Sequence, residues 1–229
     1  MKLLAFDTST HWLTVACTDG ARWWEREEQA GQAHSQRLIP VVDHVLREAG
    51  LTLGELDAIA FGAGPGSFTG VRIACGVAQG LALGAGVRLV PVSTLEAVAQ
   101  SAWETHGWAR VLACLDARMR EVYVAALRRE GEGWIAEREP SVCRPDDVAA
   151  ASGDWHGAGD GFATYPDLAA RLGVGAVDAS AIPRARAVAA LALRRVAEGA
   201  TVAASDALPF YVRHRVALTT AERDAGARL

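Results

Sequence analysis

Lysine is almost missing from this 229-residue chain: of its 23 basic residues only Lys2 is a lysine, and the rest are arginines. A lone lysine at the second position leaves no candidate for the phosphate lysine of a Walker loop, and none for a Schiff-base lysine in a formed pocket. The six histidines form no HxxxH or HExxH pair, so no metal site is expected. The four cysteines, Cys17, Cys75, Cys114 and Cys143, show no CxxC spacing, and three sit in apolar runs as buried reduced thiols would. Ser67 lies in Gly66-Ser67-Phe68-Thr69-Gly70, outside the Gly-x-Ser-x-Gly register, and no histidine is placed to argue a triad. A basic excess is also missing. With 27 acidic residues the net charge is −4, which argues against an unaided grip on nucleic acid. The apolar start is too short for a signal peptide, since Leu3 to Phe6 runs straight into Asp7. The charge-free stretch between Arg72 and Arg88 reads as too short for a bilayer, so a cytoplasmic protein is expected.

What remains is an ordinary globular composition, 51% hydrophobic and 22% charged, long enough for a sizeable core. Residues 2–7 read as a buried strand ending in Asp7. A turn leads to an alternating strand at 11–18, and Asp19-Gly20 turns into a third strand at 21–28. Leu38, Val41, Val42, Val45 and Leu46 recur at helical spacing over 34–49, with Pro40 positioned to bend the helix. Thr52 with Glu55, and Ser93 with Glu96, have capping-box spacing. Strands at 57–62 and 87–92 flank a helix at 67–85, and another helix runs to about 105.

The pattern then restarts. Leu-Ala-Cys-Leu-Asp ending at Asp116 repeats Leu-Leu-Ala-Phe-Asp ending at Asp7, and in each half two further strands follow. A duplicated α/β unit is expected, with lobes at 1–108 and 109–229, the second less regular. It holds a turn-rich segment from Gly153 to Gly161, a helix at about 184–198 and an irregular tail from Ser205. A β-β-β-α unit with an aspartate ending its first strand is similar to the actin, sugar-kinase and Hsp70 (ASKHA, ribonuclease H-like) architecture, in which two hairpin turns grip the phosphates of ATP. The corresponding turns here are Asp7-Thr8-Ser9-Thr10 and Asp116-Ala117-Arg118-Met119. The first offers hydroxyls. The second has no glycine to let backbone approach a phosphate and carries Arg118 and Arg120 instead. Structural turn caps are the favoured reading of Asp7 and Asp116. The loop from Gly62 to Gly70 likewise reads as a tight strand-to-helix turn with Ser67 as N-cap, rather than a phosphate loop.

The helix after that loop carries two smooth rows: Gly66, Gly70, Ala74, Ala78 and Ala82 in one, and Gly76, Gly80 and Gly84 in the other. Each interior glycine costs about 1 kcal/mol, which close packing must offset. Phe68, Val71, Ile73, Val77, Leu81 and Leu83 make the rest apolar nearly all round, so burial on every side is expected. The 34–49 helix can cover one flank, and a second polypeptide is the favoured cover for the other. Seven dispersed tryptophans read as strand residues, and Arg213-His214-Arg215 is either a solvated tail or a docking point for an acidic partner or RNA.

Together Asp7-Thr8-Ser9, His34-Ser35-Gln36-Arg37-Leu38-Ile39-Pro40, the run from Gly64 to Ile73, and Val92-Ser93-Thr94-Leu95 resemble the TsaB family, also called YeaZ. So do Asp116-Ala117-Arg118-Met119 with Glu121-Val122-Tyr123, and Pro209-Phe210-Tyr211-Val212-Arg213. The likeness runs from residue 2 to about 217 and is nondescript only over 131–185. The family serves bacterial tRNA threonylcarbamoyladenosine biosynthesis. The resemblance implies an actin-like protein without its own catalytic site or cofactor. It pairs with a larger TsaD-like paralogue that binds ATP and metal, and a TsaE-like ATPase joins them. The complex places threonylcarbamoyl on N6 of the adenosine beside the anticodon in tRNAs reading codons that begin with A. It also implies a homodimer when the partner is absent, tRNA contact only through the complex, and no membrane. The family's dimer surface, its first two helices, maps onto His34, Arg37, Leu38, Val41, Val45, Phe68, Arg72, Gly76, Gln79, Gly80 and Leu83. An ATP-dependent kinase or hydrolase built on Asp7, Asp116 and the 157–161 turn is the competing class, and direct tRNA binding a third.

Overall fold

Leu3-Leu4-Ala5-Phe6 has no polar residue before Asp7, and a strand so composed is stable only with both faces covered. In the computed structural model, which describes residues 1–150 and 153–212, this strand, β1 (Leu3–Asp7), is buried throughout. It pairs antiparallel with β2 (Trp12–Thr18), which pairs with β3 (Trp23–Gln29), and parallel with β4 (Ala58–Gly64), which pairs with β5 (Arg88–Ser93). The sheet order is thus third, second, first, fourth, fifth. Alternation divides β1 between two layers. Leu4 and Phe6 face α1 (His34–Ala49) and α2 (Phe68–Ala85), while Leu3 and Ala5 face α6 (Ala185–Ala197).

The second sheet repeats the first. β6 (Arg110–Asp116) pairs antiparallel with β7 (Val122–Glu130), itself paired with β8 (Gly133–Cys143); on its other side β6 lies parallel to β9 (His156–Ala158), followed by β10 (Val177–Asp178). The order is again third, second, first, fourth, fifth, with Asp116 ending the first strand as Asp7 does. Leu112 and Cys114 face α4 (Gly161–Thr164) and α5 (Leu168–Leu172), while Val111, Ala113 and Leu115 face α3 (Thr94–His106). The second half therefore repeats the strand order of the first, with the short helices α4 and α5 in the place of α1 and α2. Its fourth and fifth strands are too short to show a period.

The middle layer is exchanged. α3, early in the chain, packs on the second sheet, and α6, late in the chain, packs on the first. The two helices meet, and Arg195 on α6 bonds to Glu96 on α3 and to the Pro91 carbonyl. The sheets fall on either side of residue 108, but these helices cross the line.

Local chemistry accounts for some of the helix ends. Ser67 Oγ accepts from the Gly70 amide at 3.3 Å, as expected of an N-cap, and Thr52 with Glu55 closes a reciprocal box over one 3₁₀ turn. The Ser93–Glu96 box does not form: Glu96 is taken by Arg195, and Ser93 Oγ is left without a partner. α1 runs through Pro40, an exposed position. Cys17, Cys75 and Cys114 are buried and free, and burial pushes the Cys17 thiol up to about 11. By length and composition α2 is long and apolar enough to cross a membrane, so the expectation from the Arg72–Arg88 interval does not extend to the whole helix. Here Gly70, Ala74, Ala78 and Ala82 lie buried on the sheet. Arg213, His214 and Arg215 lie outside the described residues.

Candidate functional site

The ends of β1 and β6 meet at a cleft of about 500 Å³ between the lobes, bordered by Ser9, His11, Ser67, Asp116, Arg118 and Asp160. The first turn spends its polar groups inside its own lobe. Asp7 is buried, and its Oδ1 accepts from both the amide and the hydroxyl of Ser9, at 2.8 and 2.7 Å. Oδ2 has no partner and occupies the space a side chain at Gly62 would need. Burial pushes the Asp7 carboxyl up to about 7, against an ordinary 3.8; the Ser9 bonds oppose this without offsetting it. Thr8 Oγ1 donates to the Gly70 carbonyl at 2.8 Å, and only glycine at position 70 lets the helix come that close to the Thr8 backbone. Asp7, Thr8 and Ser9 therefore knot β1 to the start of α2.

The second turn is built differently. Arg118, Met119 and Arg120 all hold left-handed backbone, with φ of 60°, 53° and 60°. Each such non-glycine residue costs about 1–2 kcal/mol. Asp116 Oδ1 accepts from the Arg118 amide, Asp116 pairs with the Arg118 guanidinium at 3.1 Å, and the Asp116 amide donates to Asp160 Oδ1. Burial raises the Asp160 carboxyl, the dominant effect on it. Sequence reasoning missed Asp160. Its flanking glycines, Gly159 and Gly161, in the place the glycine loop takes in the first half, were the available signal.

The helix pair separates into buried and open residues. His34, Leu38, Val41 and Val45 are sealed in the core of their own lobe, with His34 Nε2 at 3.1 Å from the Trp12 carbonyl. Leu38 and Val45 have no exposed surface in the chain, and His34 and Val41 keep only 5% and 6%. Arg37 is exposed but forked onto Glu28 at 2.8 and 2.9 Å. Gln79 is half-buried and donates to the Ala207 carbonyl at 3.0 Å. Of the α2 residues assigned to the interface, Phe68, Arg72, Gly76, Gly80 and Leu83 stay open; Phe68 is 50% and Leu83 80% exposed. A Cβ on Gly76, Gly80 or Gly84 would meet nothing within 4 Å, so this glycine row packs against no described residue. The expectation that α2 is buried on every side therefore fails within the chain. One row lies on β4, and the other faces outward.

The Pro209–Val212 signature, whose place in the fold the sequence did not indicate, borders that face. Residues 207–212 cross the start of α2, tied by the Phe210 amide to the Ala63 carbonyl at 2.6 Å and by Ala207 to Gln79 and Cys75. They bring Tyr211 to 6.4 Å from Phe68, ring centre to ring centre, with Arg72 over both rings.

Two sheets of identical strand order, each with an aspartate closing its first strand at a shared cleft, define a duplicated actin-like protein of the ribonuclease H type. The family model described as TsaD: tRNA N6-adenosine threonylcarbamoyltransferase matches residues 27–219. The Escherichia coli K12 protein named tRNA threonylcarbamoyladenosine biosynthesis protein TsaB is 41% identical, the alignment covering 95% of this chain and 96% of that one. The Haemophilus influenzae protein of the same name is 37% identical over 94% and 95%. Among solved structures, YeaZ from Pseudomonas aeruginosa matches with a TM-score of 0.84 and 40% identity over 92% of this chain and 99% of that one. A second Pseudomonas aeruginosa structure, described as similar to peptidase YeaZ, gives 0.86 and 41% over 93% and 99%. The chain belongs to the TsaB (YeaZ) family.

Proposed function

We propose that this chain serves threonylcarbamoyladenosine formation on tRNA as a non-catalytic subunit that docks and activates a TsaD-like chain through the open face of α2. A TsaE-like ATPase completes the assembly, ATP and metal are bound by the partners, and the complex works in the cytoplasm. The observation that carries this reading is the outward row of Gly76, Gly80 and Leu83 on a helix whose one charge is Arg72. Water-exposed glycines inside a helix are a cost to the free chain, about 1 kcal/mol each, and are retained where another backbone must come close. The first cleft turn supports the same reading, because the Thr8 and Ser9 hydroxyls and one Asp7 oxygen are already engaged within the lobe. When the partner is absent, the same face supports a homodimer.

Co-purification with a TsaD-like chain tests this. Gly76→Arg and Leu83→Arg should each abolish capture while leaving the melting temperature within a few degrees, since neither position touches the core. Normal binding by both variants would place the interface elsewhere. The ATP-dependent kinase or hydrolase reading, favoured by the size of the cleft, instead requires Mg-ATP binding and turnover by the isolated chain.

A further inference from the structure

Arg72 is the one charged residue on α2, and no carboxylate among the described residues pairs with it. It differs in this from Arg37, Arg184 and Arg186, which are held by glutamates on β3, and from Arg26, which is held by Glu48 on α1. Arg72 is nonetheless held in place. Its guanidinium carbon lies 3.2 Å from the Phe68 ring centre and 5.2 Å from that of Tyr211. Tyr211 is itself placed by the 207–212 segment through Phe210 and Ala207. Stacking on aromatic faces leaves the five N–H donors at the guanidinium edge free to meet a planar acceptor, and it removes much of the side-chain entropy that pairing would otherwise cost. A cation so mounted, in an otherwise apolar exposed strip, is organised to receive a carboxylate from whatever covers the strip.

Resting on the docking face proposed above, we infer that Arg72, clamped by Phe68 and Tyr211, is the specificity-determining residue of that face and selects a partner whose covering helix carries an aspartate or glutamate. The preferred occupant is a different chain, and a second copy is the weaker one that takes the face when that chain is absent. α2 of a second copy contributes no carboxylate, because the helix contains none, and brings a second Arg72. On α1 the exposed carboxylates are engaged within the chain, Asp43 with Arg47 and Glu48 with Arg26. Self-pairing across this face therefore lacks the complementary charge that a carboxylate-bearing partner supplies.

The test compares Arg72→Ala, Arg72→Lys, Arg72→Glu and Leu83→Arg in the full-length chain. The readouts are affinity for the TsaD-like partner by calorimetry at low and high salt, and self-association by sedimentation. Arg72→Ala should weaken the hetero-complex on the order of 30-fold, the range for truncating one member of an interfacial charge pair. Lysine should recover only part of this, since it keeps the charge but loses the fork. Arg72→Glu should weaken it further and reverse the salt dependence, while self-association changes little. The inference is overturned if Arg72→Ala and Arg72→Glu bind the partner as the parent does while Leu83→Arg does not, which would leave the face in place and the arginine without a role. It is equally overturned if Arg72→Glu abolishes self-association and hetero-binding to the same degree. Normal binding by Leu83→Arg would sink the face itself, and this inference with it.

Discussion

Asp7→Asn is the sharpest perturbation of the knot between β1 and α2. In the folded chain the carboxyl titrates at about 7, and in the unfolded chain at its ordinary 3.8. At intermediate pH the folded state keeps a proton that the unfolded state has released, so stability falls as pH rises from about 4 to about 7 and stays low above that. The full loss is about 4 kcal/mol, at 1.36 kcal/mol per unit of difference. Asparagine keeps an oxygen for the Ser9 amide and hydroxyl. It places an unbonded N–H group where a protonated Oδ2 already goes unpaired, so at acid pH the two proteins should be of similar stability. Asparagine never ionises. Between about pH 5 and about pH 8 the parent should therefore lose about 2–3 kcal/mol relative to the variant, or roughly 5–10 °C in melting temperature for a chain of this length. Thermal melts of both proteins across that range, read as a difference, cancel every other titrating group. Parallel curves would show that Asp7 is ionised in the fold at neutral pH, and the argument from its burial would be wrong.

Gly76→Ala and Gly80→Ala fill open space on a helix, so each should raise stability by about 0.5–1 kcal/mol in a thermal melt while weakening hetero-complex formation. A stabilised variant that docks normally would mean the row is not needed for close approach. Met119→Gly relieves one of three successive left-handed residues and should gain about 0.5–1 kcal/mol in denaturant titration; a loss would show that the Met119 side chain outweighs its backbone cost. Arg195→Ala removes the half-buried bond to Glu96 and the bond to the Pro91 carbonyl, and should cost about 1–3 kcal/mol in the same assay.

The first lobe was readable because its signals are local. Leu38, Val41, Val45 and Leu46 mark α1 by their spacing, Ser67 and Gly70 mark the start of α2, and Thr52 with Glu55 forms the box its spacing announces. The duplication was readable from Asp7 and Asp116 together with the two strands that follow each, because a strand ending in a carboxylate is too common a pattern to show a repeat by itself. What escaped depends on residues far apart in the chain. Glu96 has capping spacing, yet Arg195, ninety-nine positions on, takes its carboxylate. Leu38, Val41 and Val45 are apolar both for an interface helix and for a core helix, and only the sheet behind them decides in favour of the core. Gly76 and Gly80 are small for either reason too, and only the open space beside them points outward. Arg72 gives no sign in sequence of the ring brought to it by Tyr211, more than a hundred residues later. Nothing in Arg118-Met119-Arg120 announces a left-handed run, since none of the three is a residue that favours it.

The exchanged helices bear on how such a chain can be divided. Cut after residue 108, the leading half would keep its five strands but lose α6, leaving Leu3, Ala5, Ala58, Ala60 and Val90 wet; it would also carry α3 with its apolar stripe facing no sheet. The trailing half would have the mirror defect. Neither piece is a self-sufficient folding unit, so the two halves descend from a repeat but mature as one object, and fragments made separately should be sticky until they are mixed.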